Sequence, residues 1–80
     1  MGYSTYILYS EKLKKYYVGH ARDIDKRLDE HNRGKSKFTK TGIPWLMKKV
    51  FYFDTKAGAC KLELEIKKRG CKRFLQSLEK

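Results

Sequence analysis

Hydrophobic residues are grouped in short runs separated by polar stretches, and the composition of these runs predicts strands. Residues 3–9 are rich in Tyr and β-branched side chains, and residues 16–19 repeat this composition after a polar connection over 10–15. The two runs predict antiparallel strands joined as a hairpin. Residues 45–53 are rich in aromatic side chains and predict a third strand.

The first predicted helix lies between the second and third strands. Asp23 is a good N-cap for a helix over residues 24–32, and Gly34 follows as a stop signal. Residues 33–44 then predict a polar, basic loop that contains one aromatic residue, Phe38. A loop of this length suggests a function of its own.

Two further helices are predicted after the third strand. Either Asp54 or Thr55 caps a helix that runs to Arg69 and ends at Gly70. Residues 71–80 predict a short amphipathic helix. Its inward-facing residues are expected to be Phe74, Leu75 and Leu78. The order ββαβαα predicts an α+β fold, a small three-stranded antiparallel sheet flanked by helices.

Length and composition fit one small folded domain over residues 1–80. Hydrophobic residues make up 40% of the chain, and the aromatic ones (six Tyr, four Phe and one Trp) argue against disorder. No apolar run approaches the roughly 20 residues of a membrane span. The first residues also lack the pattern of a secretory signal. We therefore expect a cytoplasmic protein that does not enter a membrane.

The cysteines do not predict a metal site. Cys60 and Cys71 form no C-x-x-C pair, and together with His20 and His31 their spacing fits no zinc-finger pattern. Two ordinary reduced thiols are the expectation.

The net charge of +11 favours a polyanionic partner, and nucleic acid is the first candidate. Acidic residues are absent from 31–53 and from 66–78, so the positive charge is clustered rather than spread over the surface. A merely solubilising surface is the alternative, whereas an acidic membrane would call for a basic amphipathic anchor that the chain lacks. The candidate nucleic-acid-binding residues are Arg33, Lys35, Lys37, Lys40, Lys67, Lys68, Lys72 and Arg73.

Polar residues interrupt the apolar face of the first predicted helix. At 100° per residue, Arg27 and His31 share a stripe with Ile24 and Leu28. Both polar side chains are therefore expected to face the sheet.

The second predicted helix shows the same feature. Glu63 falls on the apolar seam with Ala59, Leu62 and Ile66, whereas Glu65 points away from it. A partly buried carboxylate is costly unless it meets a cation or a metal. An ion pair between Glu63 and Arg27 is the alternative to a metal site.

The predicted hairpin adds candidate hydroxyl and imidazole groups. Tyr6 and Tyr17 lie in the paired strands, Gly19 allows close backbone approach beside them, and His20 follows at the exit of the second strand. Ordinary sheet packing for the tyrosines and a surface position for His20 are the alternatives.

These residues resemble the GIY-YIG endonuclease superfamily. Ser4-Thr5-Tyr6 and Tyr17-Val18-Gly19 are similar to its paired signature, with Ser4-Thr5 in place of Gly-Ile. The segment from Tyr17 to Leu28, with Arg27-Leu28 in the helical arginine position, resembles the segment that follows there. Further landmarks are similar to small stand-alone bacterial members, which themselves resemble the N-terminal nuclease domain of an excinuclease. They are His31-Asn32, Lys35-Ser36-Lys37-Phe38-Thr39, Pro44-Trp45, Ala59 through Glu63, and Ile66-Lys67-Lys68.

The resemblance implies roles for individual residues. It implies that Glu63 binds Mg²⁺ or Mn²⁺ and that Arg27 stabilises the phosphate. Tyr17 and Tyr6 would be active-site phenols, with Tyr17 aided by His20 as the first choice of base and Tyr6 as the second. His31 falls where many members have Tyr, and its role is left open. A single carboxylate holding a mostly hydrated Mg²⁺ suits that ion.

The sequence therefore predicts a divalent-metal-dependent endonuclease that hydrolyses duplex or branched DNA with low sequence specificity, in DNA repair or recombination. The alternative is a non-catalytic nucleic-acid-binding module that uses stacking aromatics such as Phe38 or Trp45. A protein-interaction adaptor that keeps the fold is a third reading. Partners besides DNA, either a second copy of the chain or another protein, are left open.

Overall fold

A three-stranded antiparallel sheet forms the centre of the computed structural model, which describes residues 2–35 and 40–78. The strands are β1 (Tyr3–Ser10), β2 (Lys15–Ala21) and β3 (Trp45–Phe53). Their order in the sheet is β2-β1-β3, so β1 is paired on both sides and β2 is an edge strand. The predicted antiparallel sheet and the order ββαβαα are confirmed.

Each helix begins at a polar cap or a glycine. The Asp23 side chain accepts a hydrogen bond from the Lys26 backbone N–H at the start of α1 (Ile24–Asn32). Thr55, rather than Asp54, caps α2 (Lys56–Arg69) by accepting from the Gly58 N–H. Gly70, with a φ of 92°, separates α2 from α3 (Cys71–Leu78), because this left-handed backbone conformation favours glycine.

The helices cover both faces of the sheet. On one face Ile7 and Val18 pack against Ile66 of α2 and Phe74 of α3. On the other face Tyr6, Leu8 and Trp45 pack against residues of α1 and of the segment before β3. Since side chains alternate between faces along a strand, the central strand contributes to both cores.

Hydrogen bonds between side chains and the backbone tie the helices to this sheet. Thr5 Oγ1 donates to the Ala59 carbonyl of α2 at 2.7 Å. On the other face the Asn32 amide accepts from the Trp45 N–H at 2.6 Å and donates to its carbonyl at 3.2 Å. These bonds fix α1 and α2 on opposite sides of the sheet.

The second strand is longer than the sequence predicts. β2 extends to Ala21, which pairs with Ser4, so His20 lies inside the strand opposite Thr5 and not at its exit. Neither His20 nor Ala21 has strong strand propensity, and cross-strand pairing with β1 holds them extended. β1 likewise continues to Ser10, whose hydroxyl donates to the Gly42 carbonyl.

The third helix buries less than predicted. Phe74 is buried and Leu75 partly buried, but Leu78, in the last turn of the described helix, is 45% exposed. The loop before β3 includes a short 3₁₀ turn, Lys40–Gly42. Two residues singled out from the sequence, Lys37 and Phe38, lie outside the described residues.

Membrane-spanning helices are not found: within residues 2–35 and 40–78 no helix is long and apolar enough to cross a bilayer.

Candidate active site on both sides of the edge strand

Strand β2 distributes the candidate residues between the two faces of the sheet. Because side chains alternate along a strand, Tyr17 and Gly19 face α1, whereas His20 faces α2. The structure therefore builds two polar groups. We call them the Tyr6 cluster (Tyr6, Tyr17, Arg27 and His31) and the Glu63 cluster (His20, Cys60, Glu63 and Lys67).

The Tyr6 cluster is organised by a chain of hydrogen bonds. Arg27 Nε donates to the Tyr6 hydroxyl oxygen at 3.4 Å, and the same hydroxyl lies 3.1 Å from Nε2 of His31. With Arg27 as donor, the Tyr6 proton is free to be donated to a neutral imidazole. Tyr6 and His31 are each only 1% exposed. The prediction that His31 faces the sheet from the helical stripe it shares with Arg27 is therefore confirmed.

Tyr17 lies against this network but is partly exposed. Its ring centroid is 5.1 Å from that of His31 and 6.2 Å from that of Trp45. Its hydroxyl makes no hydrogen bond to any other described residue. The Nη groups of Arg27 likewise make none within the described part of the chain. Tyr17 and Arg27 thus keep polar atoms for a molecule bound beside β2.

Gly19 makes room for the Tyr6 hydroxyl. A Cβ atom at position 19 would lie 2.7 Å from that oxygen, closer than such atoms approach in proteins. Any larger residue would push the Tyr6 ring away from Arg27 and His31. The glycine of the second signature tripeptide is therefore required by packing.

Burial shifts the pKa values in the Tyr6 cluster. Burial raises the pKa of the Tyr6 hydroxyl, against the opposing hydrogen bond from Arg27. Burial also lowers the pKa of His31, and the positive charge of Arg27 lowers it further. Both side chains are accordingly neutral at physiological pH.

We expect His31 to make folding stability fall in mild acid. The unfolded imidazole takes up a proton near pH 6.5, whereas the buried one does so only at lower pH. Its contribution is therefore complete above about pH 6.5 and is lost as the pH falls towards the folded pKa. The free energy of unfolding, measured with urea, should fall between neutral pH and pH 5 in both proteins. The fall should be on the order of 1 kcal/mol larger in the wild type than in His31→Gln. Equal losses in both proteins would contradict the assignment.

The Glu63 cluster surrounds one carboxylate, whose side chain is 14% exposed. Glu63 Oε1 lies 2.6 Å from Nδ1 of His20, and Oε2 accepts from Lys67 Nζ at 2.8 Å. Burial alone would raise the pKa of Glu63, but the hydrogen bonds from Lys67 and His20 outweigh it and hold the pKa below its usual value. Glu63 is therefore an anion at neutral pH.

The predicted alternative partner of Glu63 is wrong. Glu63 pairs with His20 and Lys67 and not with Arg27, because Arg27 lies on the α1 side of the sheet, bonded to Tyr6. The seam prediction itself is confirmed, since Glu63 is partly buried and Glu65 exposed.

The two clusters influence each other electrostatically around β2. The charge of Glu63 is among the smaller influences that raise the pKa of Tyr6. Tyr17 in turn is among the influences that raise the pKa of Lys67, behind the hydrogen bond that Lys67 donates to Glu63. The two clusters thus interact electrostatically, although Tyr17 and His20 lie on opposite faces of β2.

Glu63 suits a hard divalent cation that keeps most of its own water. Within the described ranges, no group of three or more His, Cys, Asp or Glu is arranged to hold a metal ion. Mg²⁺ is commonly held by one or two carboxylates, with water and substrate phosphates as its other ligands. The partly buried, anionic Glu63 fits that arrangement, with Lys67 able to swing away because its side chain is 54% exposed.

The predicted nucleic-acid-binding residues fall into two groups on different elements. Arg33, Lys35 and Lys40 are exposed around the end of α1 and the following loop, and Arg33 pairs with Asp29 at 2.9 Å. The remaining described ones lie exposed on α2 and α3: Lys67, Lys68, Lys72 and Arg73. Lys68 and Arg73 line a shallow groove together with Arg69.

Trp45 cannot act as a stacking platform, contrary to the sequence-based suggestion. It is 4% exposed, because its side chain packs in the core with Tyr6 and Leu8 and contacts the Tyr17 ring edge-on.

Two contacts of the site were not predicted from the sequence: Lys67, predicted only as a nucleic-acid-binding residue, pairs with Glu63, and Cys60 contacts His20. Lys67 lies one helical turn after Glu63, a spacing that does predict ion pairs. The Cys60 Sγ contact to His20 Nε2 at 3.6 Å arises only from the fold.

Comparisons with known proteins agree with this architecture. The family described as GIY-YIG catalytic domain matches residues 2–74. A UPF0213 protein of Staphylococcus saprophyticus is 46% identical over 52 residues, which cover 64% of this chain and 63% of that protein. A UPF0213 protein of Staphylococcus aureus is 40% identical over 52 residues, with the same coverage. The match thus spans a little under two thirds of the length of these curated relatives.

A solved structure extends the likeness to the whole fold. The solution NMR structure of a UPF0213 protein from Bacillus halodurans matches with a TM-score of 0.60 at 28% sequence identity. The match covers 99% of this chain and 84% of that one.

Proposed function

This chain belongs to the GIY-YIG family, and on that basis we propose that it is a divalent-metal-dependent endonuclease that hydrolyses DNA phosphodiester bonds. The observation that carries the proposal is the partly buried, anionic Glu63 on one face of the edge strand β2, with Tyr17 of β2 and Arg27 of α1 on the other face. The chain would form one nuclease domain. This domain would cleave duplex or branched DNA with low sequence specificity, in repair or recombination. A cytoplasmic location is also proposed, supported by the free thiols of Cys60 and Cys71.

Glu63 is the proposed metal ligand. A bound Mg²⁺ or Mn²⁺ would neutralise charge on a non-bridging phosphate oxygen and stabilise the leaving alkoxide. His20 has the proposed role of orienting the carboxylate through its 2.6 Å contact. When substrate binds, Lys67 leaves the Glu63 carboxylate and donates to a phosphate instead, since the carboxylate and the phosphate are both anionic acceptors.

Arg27 is the proposed phosphate-stabilising group. Its Nε is committed to Tyr6, so the guanidinium is held with its remaining donors available for two phosphate oxygens. Tyr6 and His31 are buried beneath it and receive positioning roles, with no contact to substrate.

Tyr17 is the proposed general base. Its partly exposed hydroxyl would, as the phenolate, take a proton from the attacking water. The water oxygen would then bond to phosphorus as the phosphorus–oxygen bond to the leaving group breaks, and the leaving alkoxide would take a proton from solvent. His20 is second in this role because its Nδ1 already contacts Glu63. Tyr6 is third, since burial raises its pKa and closes it to water.

The non-catalytic nucleic-acid-binding module remains the second candidate, and the net charge of +11 supports it. Nicking of supercoiled plasmid by the purified protein, with and without EDTA, separates the two functions. Cleavage that needs Mg²⁺ or Mn²⁺ supports the endonuclease, and tight binding without cleavage supports the module.

Under both functions, affinity for duplex DNA should be dominated by phosphate contacts. We expect a log–log salt slope of about −3 or steeper, which is three or more contacts at about −0.9 each. Lys68→Ala/Arg73→Ala should reduce the magnitude of that slope by about 2, whereas the charge-matched control Lys12→Ala/Lys56→Ala should leave it unchanged. Fluorescence anisotropy measures both, and a slope near zero would show that the basic surface only solubilises the protein.

A further inference from the structure

A groove separate from the proposed active site lies between the sheet and α3. It is on the same face as His20 but near the beginning of β2, and it has a volume of about 490 Å³. Its principal lining residues are Tyr16, Lys48, Lys49, Lys72, Leu75 and Leu78. None of the roles assigned to the Tyr6 and Glu63 clusters uses this groove.

The groove combines positive charge with one lining aromatic ring, that of Tyr16. Three exposed lysines, Lys48, Lys49 and Lys72, line it, and no acidic side chain lines it in the part of the chain that the structure describes. Tyr16 pairs with Tyr9 of the neighbouring strand, at 4.8 Å between ring centroids. The Lys48 ammonium lies 5.4 Å from the centroid of the Tyr9 ring.

This chemistry matches a single-stranded nucleic acid. Lysines complement phosphates, and tyrosine rings stack on bases, whatever the base, wherever the bases are not already stacked in a duplex. The side chain of Lys48 is long and exposed, so it can leave the Tyr9 ring for a phosphate and open the ring to a base. The apolar walls formed by Leu75 and the 45% exposed Leu78 shield such a base from water.

We propose that the groove binds an unpaired strand of nucleic acid, with phosphates on Lys48, Lys49 and Lys72 and a base against the Tyr9–Tyr16 pair. Tyr16 and His20 lie on the same face of β2, four residues or about 13 Å apart. A strand that leaves the Glu63 cluster along β2 would therefore enter the groove. This last relation rests on the proposed nuclease function, whereas binding in the groove does not.

The test compares two triple variants with equal net charge. Lys48→Ala/Lys49→Ala/Lys72→Ala removes the groove lysines, and Lys12→Ala/Lys56→Ala/Lys61→Ala removes three exposed lysines elsewhere. Binding of fluorescein-labelled oligo(dT) is measured by anisotropy in EDTA at several salt concentrations. The groove variant should lose about 2 from the magnitude of the salt slope, at about 0.7 per contact, while the control binds nearly like the wild type.

The aromatic contribution has its own variant. Tyr9→Leu keeps an apolar side chain on the surface but removes the stacking ring, and affinity for oligo(dT) should fall about tenfold or more. NMR shifts of the wild-type protein on titration with oligo(dT) should be largest at Tyr9, Tyr16 and Lys49, a readout independent of any variant.

Several results would overturn the inference. One is equal oligo(dT) binding by both triple variants. Another is NMR shifts that avoid the groove. A third is a groove variant that no longer binds phosphatidylserine vesicles but still binds oligo(dT). That result would assign the groove to a lipid surface. Plasmid nicking by a wild-type protein that fails these tests would leave the proposed endonuclease intact.

Discussion

Replacing Glu63 by Gln should abolish metal-dependent cleavage, with a loss on the order of 10³-fold or more in single-turnover rate. The substitution keeps the shape of the side chain but removes the charge that would hold the cation, and metal stabilisation of the leaving oxygen is worth several kcal/mol. DNA affinity should be kept or rise slightly, because a negative charge near Lys67 disappears.

The matched control for this substitution is Glu65→Gln. Glu65 lies on the same helix, carries the same charge and is exposed, so its variant should nick plasmid at the wild-type rate. Circular dichroism melting checks that Glu63→Gln is folded despite losing its ion pairs, which should cost about 1 kcal/mol. Full nicking by a folded Glu63→Gln protein would remove Glu63 from the mechanism.

Replacing Tyr17 by Phe should lower the cleavage rate at least ~10²-fold, the usual minimum for loss of a general base. Only a hydroxyl is removed, and the ring keeps its contacts with His31 and Trp45, so melting and DNA binding should not change. The measurement is single-turnover nicking of supercoiled plasmid at saturating Mg²⁺ or Mn²⁺, so that binding and product release do not mask the chemical step.

Tyr52→Phe is the control, since Tyr52 of β3 is 76% exposed and belongs to neither cluster nor to the groove. Its variant should cleave normally. His20→Ala should cost less than Tyr17→Phe, because His20 would act on Glu63 and not directly on the water. An inactive His20→Ala beside a fully active Tyr17→Phe would identify the imidazole as the base. Normal cleavage by both variants would direct the test to Tyr6.

The sequence predicts much of the fold because the local signals agree with the tertiary structure. The helix over 24–32 and the strand over 45–53 have the predicted bounds, and the Asp23 cap is present. The predicted bounds of β2 are too short. Its last residues, His20 and Ala21, are extended because they pair with β1, which depends on residues distant in the chain.

The candidate site is predictable in its members but not in its connections. Helical periodicity correctly places His31 and Glu63 towards the sheet. It cannot reveal that Glu63 bonds to His20, 43 residues away, or that Tyr6 joins Arg27 to His31. Because the predicted strand ends before His20, strand alternation does not extend to it, and the placement of Tyr17 and His20 on opposite faces is not predicted.

The most direct test of the central claim is the anomalous diffraction of Mn²⁺ in crystals of the protein with a short DNA duplex. Glu63→Gln, which retains DNA binding, is the control crystal. We expect an anomalous peak bound to the Glu63 carboxylate and to a DNA phosphate that Arg27 also contacts, and no peak in the variant. Density for Mn²⁺ that avoids Glu63 while the same phosphate is bound, or an undiminished peak in Glu63→Gln, would contradict the proposed mechanism.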